Sequence, residues 1–190
     1  MAKAKPTIYD PNKDATYELD SLEEWDFYQW LLEGYEHGLI DSYTYHVKSY
    51  ELIPKHVYEV LKQLKTKTKT IQKTLLRQHE YTPDFEVNVS EHFYEIFGDK
   101  TILTKIDHVS KNPYVIDIKG AFQRNGGSRS FAIDCKLMYE THGIYVFKVI
   151  PDKLFEETFL PERCKYTLKK KQLKKKYDNE TYKRISEAVA

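Results

Sequence analysis

The chain has 190 residues, 41% of them hydrophobic and 31% charged, with a formal net charge of +1. That length and balance fit one soluble globular domain with a real core. Two cysteines, Cys135 and Cys164, exclude a disulfide framework and a zinc signature. With no apolar leader and no run of about 18 apolar residues, the chain reads as cytoplasmic, with no membrane partner.

In chain order, residues 1–19 are expected to be an irregular arm. Asp20 or Ser21 can cap a helix whose first turn carries Glu23 and Glu24. Trp25, Tyr28, Leu31 and Leu32 follow at helical spacing, and Gly34 with Gly38 supplies the stop. Residues 39–54, rich in Tyr, Val and Ile, predict one or two strands closed by Pro54. Residues 56–65 predict a helix with Val57, Val60, Leu61 and Leu64 on one face, and residues 65–74 fit either a loop or an extended ribbon. Residues 74–89 read as two strand pieces interrupted at Pro83. A short helix over 91–99, the clearest strand over 112–120 and a glycine-containing loop over 123–130 come next. Phe131, Cys135, Leu137 and Met138 predict a helix over 130–143, followed by a buried strand over 144–151. Helices are predicted near 152–158, 165–177 and 179–189. The organisation is therefore an N-terminal arm (1–19), a core domain (20–160) and a basic helical C-terminal extension (161–190). The fold class is mixed α/β, a central mixed sheet flanked by helices.

Charge is unevenly spread. Lys62 to Arg77 holds six basic residues and no acid, and Arg163 to Lys176 holds eight and no acid. Either stretch can be a solvated face, or a site for a polyanion.

The strand over 112–120 poses a chemical problem. Asp117 and Lys119 are two residues apart and so leave the same face, beside apolar Val115, Ile116 and Ile118. Half-buried charges are costly unless paired or ligating a metal. A plain ion pair satisfies the rule, and so does a metal site. Upstream, Pro83-Asp84 marks a break between strands.

Pro83-Asp84 followed by Asp117-Ile118-Lys119 resembles the PD-(D/E)xK nuclease superfamily. The stretch LDSLEEWDFYQWLLEGYEHGLI, with Ser21 and Glu24 at Ser-x-x-Glu spacing, is similar to the first helix of a phage branch of that superfamily. FAIDCKLMYETHGIYVFKVI is similar to the helix and strand that complete its core, with Lys136 where many members carry a helical Lys or Gln. The resemblance spans residues 19–150 and is greatest to phage-encoded Holliday-junction resolvases and recombination endonucleases. Asp117 stands where Glu is commoner, which shortens the reach of that ligand.

The resemblance implies a restriction-endonuclease-like core and a Mg²⁺- or Mn²⁺-dependent deoxyribonuclease acting on branched recombination or replication intermediates. It implies Glu24, Asp84, Asp117 and Lys119 as catalytic residues, with metal ligands from Glu24, Asp84, Asp117 and the carbonyl of Ile118. Hard oxygen donors suit Mg²⁺, which keeps several waters. Lys119 would stabilise developing charge beside the attacking water. Glu23 is the alternative ligand if the helix phase differs, and Glu86 is a candidate extra ligand. The alternatives are that Glu24 is a first-turn dipole residue and Asp84 a turn residue after proline. His46, His56, His79, His92, His108 and His142 show no metal spacing and read as structural. Candidate DNA contacts are Lys65, Lys67, Lys69, Lys73, Arg124, Arg129, Lys136, Lys170, Lys171, Lys174 and Lys175. Two symmetric nicks in a junction would call for a homodimer. The alternative function is a non-catalytic nucleic-acid-binding or host-takeover protein on the same scaffold.

Overall fold

A computed structural model describes residues 4–46, 48–103, 113–120, 129–178 and 181–190. Residues 1–19 are not an irregular arm. Their described part contains a hairpin of β1 (Thr7–Asp10) and β2 (Ala15–Glu18), paired antiparallel from Thr7↔Glu18 to Asp10↔Ala15. Alternation buries Ile8 and Asp10 while their neighbours face solvent.

Helix α1 (Leu22–Glu36) starts at Ser21, whose hydroxyl accepts from the Glu24 N–H at 3.1 Å. It is buried almost all round, since it lies between the sheet and the C-terminal segment. Trp30 stacks between Phe27 and Phe159 and donates its indole N–H to Thr158. Truncating an aromatic packed in this way typically costs about 3–5 kcal/mol. Gly38, at φ +68°, turns the chain into β3, a conformation that favours glycine.

Strand β3 (Ile40–Tyr45) is followed by β4 (Tyr50–Ile53), β5 (His56–Gln63), β6 (Thr68–Leu76) and β7 (His79–Tyr81). Then come β8 (Phe85–Val89), α2 (Glu91–Phe97), β9 (Tyr114–Ile118), α3 (Arg129–His142) and β10 (Val146–Val149). Helices α4 (Pro151–Glu157) and α5 (Ile185–Ala188) complete the described elements.

The main sheet has the order β10-β9-β8-β3, with β9 and β10 parallel and the other neighbours antiparallel. One face, from Phe85, Val87, Ile116, Ile118 and Val149, packs with α1 in the main core. The opposite face places Val115 and Val146 with Met138 of α3 and with Tyr50 and Leu52 of β4. Strands β4 and β7 form a separate pair, and β5 with β6 form a two-stranded ribbon.

Two predicted helices are corrected. Of residues 56–65, His56–Gln63 form β5, because β-branched Val57 and Val60 find a full-length partner in β6, from His56↔Leu76 to Gln63↔Thr68. The choice between loop and ribbon for residues 65–74 falls on the ribbon side from Thr68 onward. Residues 165–177 are not a helix either. They run from a 3-10 turn (Glu162–Lys165) through a bridge between Tyr166 and Leu173 to a second 3-10 turn (Lys175–Tyr177). A helix there would set Lys170 against Lys174 and Lys171 against Lys175 at i,i+4, a destabilising arrangement. The loop also reverses at Lys171, at φ +48°. Between 179 and 189 only Ile185–Ala188 is helical among the described residues. The C-terminal segment adds Cys164, Tyr177 and Ile185 to the main core.

Candidate active site

Strand directions bring the candidate residues to one end of the sheet. β3 ends, β8 begins and β9 ends at the same edge, and the N-terminus of α1 meets them there. Phe85 pairs with Ile116 and Glu86 with Val115, so one step further along the register Asp84 stands opposite Asp117. Oδ2 of Asp84 accepts the Ile118 N–H at 2.6 Å, and the carbonyl of Asp84 accepts the His46 N–H at 2.9 Å. Asp84 is thus a crosspiece between β3 and β9.

Asp117 is 3% exposed, low enough that its charge needs partners. It accepts the Tyr81 hydroxyl at Oδ2 (2.5 Å), and its Oδ1 is in contact with the Lys119 ammonium. Lys119 is further held by its backbone N–H, which donates to Val149, and its ammonium lies over the Phe131 ring at 4.8 Å. Tyr81 did not stand out in the sequence. Its role follows from the register of β7 against β4, which no local motif encodes.

Burial first, then the negative charge of Asp117, pushes the carboxyl of Asp84 up to about 7; Glu24 adds to the rise, while the Ile118 N–H and Lys119 oppose it. Glu24, Asp84, Asp117 and Lys119 therefore share one electrostatic neighbourhood. The Tyr81 hydroxyl is pushed well up by burial and by Asp117, so it stays a proton donor to that carboxylate.

Glu24 is buried and accepts three hydrogen bonds, from the Ser21 hydroxyl (2.8 Å), the Asp20 N–H (3.0 Å) and the Tyr45 hydroxyl (3.0 Å). It closes a cap on α1, and its charge adds to the raised proton affinity of Asp84. Glu23 points to the end of β9: a Cβ on Gly120 would meet its Oε1 at 3.0 Å. Glycine at 120 lets that carboxylate approach the strand that carries Lys119. Both helix glutamates therefore border the site.

His46, read as structural from its spacing, stacks on Tyr45 at 3.9 Å. One of its ring nitrogens and carboxylate oxygens of Asp20 and Glu24 all lie within 4.8 Å of one another. Asp20 is also paired with Lys5 at 2.6 Å.

The carboxylate oxygens of Asp84 and Asp117 are of the kind a hard cation takes. Two carboxylates face each other across neighbouring strands, and Asp84 resists ionising there without a compensating charge. Glu86 follows Asp84 by two residues and lies half-buried on the same face of β8, opposite Val115.

The candidate DNA contacts are scattered. Lys65, Lys67, Lys69 and Lys73 are exposed on the β5–β6 ribbon. Arg129 and Lys136 are exposed on α3, and Arg124 lies outside the described residues, as does His108. Lys170, Lys171 and Lys175 are exposed, but Lys174 is paired with Asp26 of α1 at 3.2 Å. Lys174 is therefore a tether of the C-terminal segment and not a free cation.

No family model, no curated protein and no solved structure matches this chain. No helix among the described residues is long and apolar enough to cross a membrane.

Proposed function

We propose that the protein is a metal-dependent nuclease that hydrolyses DNA phosphodiester bonds, acting on branched intermediates of phage recombination or replication. The observation that carries this reading is the convergence of Glu24, Asp84, Asp117 and Lys119 at one end of the sheet. The chain order adds support: a helix opened by Ser-x-x-Glu, a strand, a strand entered from Pro83-Asp84, a strand closed by Asp117-Ile118-Lys119, a helix and a parallel strand. That is the order expected of the restriction-endonuclease-like core.

Asp84 and Asp117 would hold Mg²⁺ or Mn²⁺, with the Ile118 carbonyl as the third protein ligand that the resemblance implies. The bound cation supplies Lewis acidity toward the scissile phosphate and lowers the pKa of a water. Glu24 orients from the helix side, fixed by Ser21 and Tyr45. Tyr81 fixes the rotamer of Asp117 by its hydrogen bond. Lys119, whose ammonium contacts Asp117, would stabilise charge that develops on the phosphate oxygens. Phe131 lines that position and limits water around the ammonium.

The test is cleavage of four-way, flap, duplex and single-stranded DNA in Mg²⁺, Mn²⁺, Ca²⁺ or excess EDTA. Activity is expected with Mg²⁺ or Mn²⁺ and none with EDTA. Asp117→Ala and Lys119→Ala should each lose about 100-fold or more, and only Asp117→Ala should also lose metal binding. Full cleavage in EDTA would overturn the mechanism. If Lys119→Ala cuts normally, Lys119 is an ion-pair partner and nothing more.

A further inference from the structure

The β5–β6 ribbon projects from the molecule with almost every residue exposed; only Val60 and Ile71, which face each other, are partly covered. At eight residues, β5 reaches about 27 Å. Its two faces differ. Tyr58 opposite Lys73, Val60 opposite Ile71 and Lys62 opposite Lys69 alternate onto one face. Val57, Glu59, Leu61 and Gln63, with their partners Thr74, Gln72, Thr70 and Thr68, take the other. Glu59 is the one acid on either strand, so the lysine face carries no acid of its own.

Lys62 directly opposite Lys69 is a like-charge cross-strand pair, which destabilises an isolated hairpin. Lys67, whose carbonyl accepts the Leu64 N–H to close the turn, and Lys65 add two more cations at the tip. Such a face is relieved by an extended polyanion. The ribbon also starts from a fixed base. Gln78 donates to Glu51 and Glu80 at 2.8 Å, His79 is paired with Asp134 of α3 at 2.7 Å, and Tyr81 of the same strand binds Asp117. The arm leaves the body at the Ile53–His79 end of the β4–β7 pair, whose other end holds Tyr81 on Asp117.

We infer that the β5–β6 ribbon is an arm that engages the major groove of duplex DNA, holding a double-stranded segment next to the Asp84–Asp117 pair. The major groove of B-form DNA admits a two-stranded ribbon. Lysines spread along the ribbon would contact phosphates on the groove walls without reading bases. This inference rests on the nuclease reading for the place of the cut, but the arm's binding is measured without cutting.

The experiment compares Asp117→Asn protein with the same protein carrying K62Q, K67Q, K69Q and K73Q. Fluorescence anisotropy follows binding to a duplex of about 20 bp, longer than the arm's reach, at several salt concentrations. Each lost phosphate contact removes about 0.9 from the slope of log affinity against log salt, so a loss of about two to three units is expected. All four side chains are exposed, and melting curves of the two proteins should agree. On duplex RNA, whose major groove is deep and narrow, the slope difference should largely vanish. An unmoved slope on duplex DNA overturns the arm, and equal losses on DNA and RNA overturn groove entry. A dimer that dissociates on neutralisation, with the slope unmoved, makes the ribbon a protein contact and overturns the inference. A protein that shows the slope change but never cuts any DNA leaves the arm standing and removes the nuclease reading alone.

Discussion

Asp84 carries a raised proton affinity because it is buried against another carboxylate, and this fixes the sign of a pH effect. Its folded pKa, about 7, lies above the usual carboxylate value near 3.8. Between those values the folded protein keeps a proton that the unfolded chain has released. Stability must then fall as pH rises through that window. In EDTA, the melting temperature is expected to decline from about pH 4 to about pH 7, and Asp84→Asn should flatten the decline. Binding of Mn²⁺ requires the ionised form, so stabilisation by Mn²⁺ should be larger at pH 8 than at pH 5. The same decline in Asp84→Asn would mean that another group is responsible. Asp84, Asp117 and Lys119 could be read from the sequence because strand alternation and the Pro83 break are local signals. Tyr81 and the His46 contact could not, since both depend on which strands pair and on where α1 begins.

At the scale of elements, the ribbon explains one failure of sequence reading. Val57, Val60, Leu61 and Leu64 fall at helical spacing, yet spacing assigns a helix only when a core exists for that face. Leu61 is 72% exposed, so no core receives it, and cross-strand pairing decides the conformation instead. The C-terminal run failed for a different reason: its lysines repel along a helix, while a loop lets Lys174 reach Asp26 and Lys176 reach Asp152. The strands of the main sheet and helices α1 and α3 were legible because their apolar positions face a real interior. The ribbon buries so little that replacing residues 57–75 by an Asn-Gly turn should shift the melting temperature by no more than about 3 °C, the equivalent of roughly 1 kcal/mol. Differential scanning calorimetry measures this directly. A much larger fall would show that the ribbon supports the body.

Across the whole molecule, the N-terminal hairpin and the C-terminal segment are both built into the main core. Asp10, fully buried, accepts hydrogen bonds from Tyr28 (2.8 Å), Tyr43 (2.9 Å) and the Asn12 N–H (2.9 Å), with Lys13 at 4.0 Å. One carboxylate therefore ties the N-terminal hairpin to α1 and β3. Asp10→Ala strands the two tyrosine hydroxyls and is expected to cost about 3 kcal/mol, lowering the melting temperature by about 6–12 °C. Thermal denaturation of the variant is the check, and a wild-type melting curve would refute the tie. On the opposite side, Cys164 donates to the carbonyl of Asp26, and Leu160 donates its N–H to Lys183.

The hydrogen bond from His46 to Asp84 has a consequence for how such a protein can diversify. The chain leaves the sheet at His46 and returns at Asp84, and those two residues meet at 2.9 Å. Within this excursion β4 and β7 hold Tyr81 on Asp117 and pair Ile53 with His79, so the ribbon beyond that pair is a cassette whose ends are already closed by the scaffold. Lengthening or exchanging such an insert costs little, because closure entropy grows only with the logarithm of its length. Natural variation can therefore re-cut the reach and charge of this excursion while the carboxylates behind it keep their positions. The reach and charge of the arm are in this way heritable separately from the geometry of the carboxylates, on one short chain.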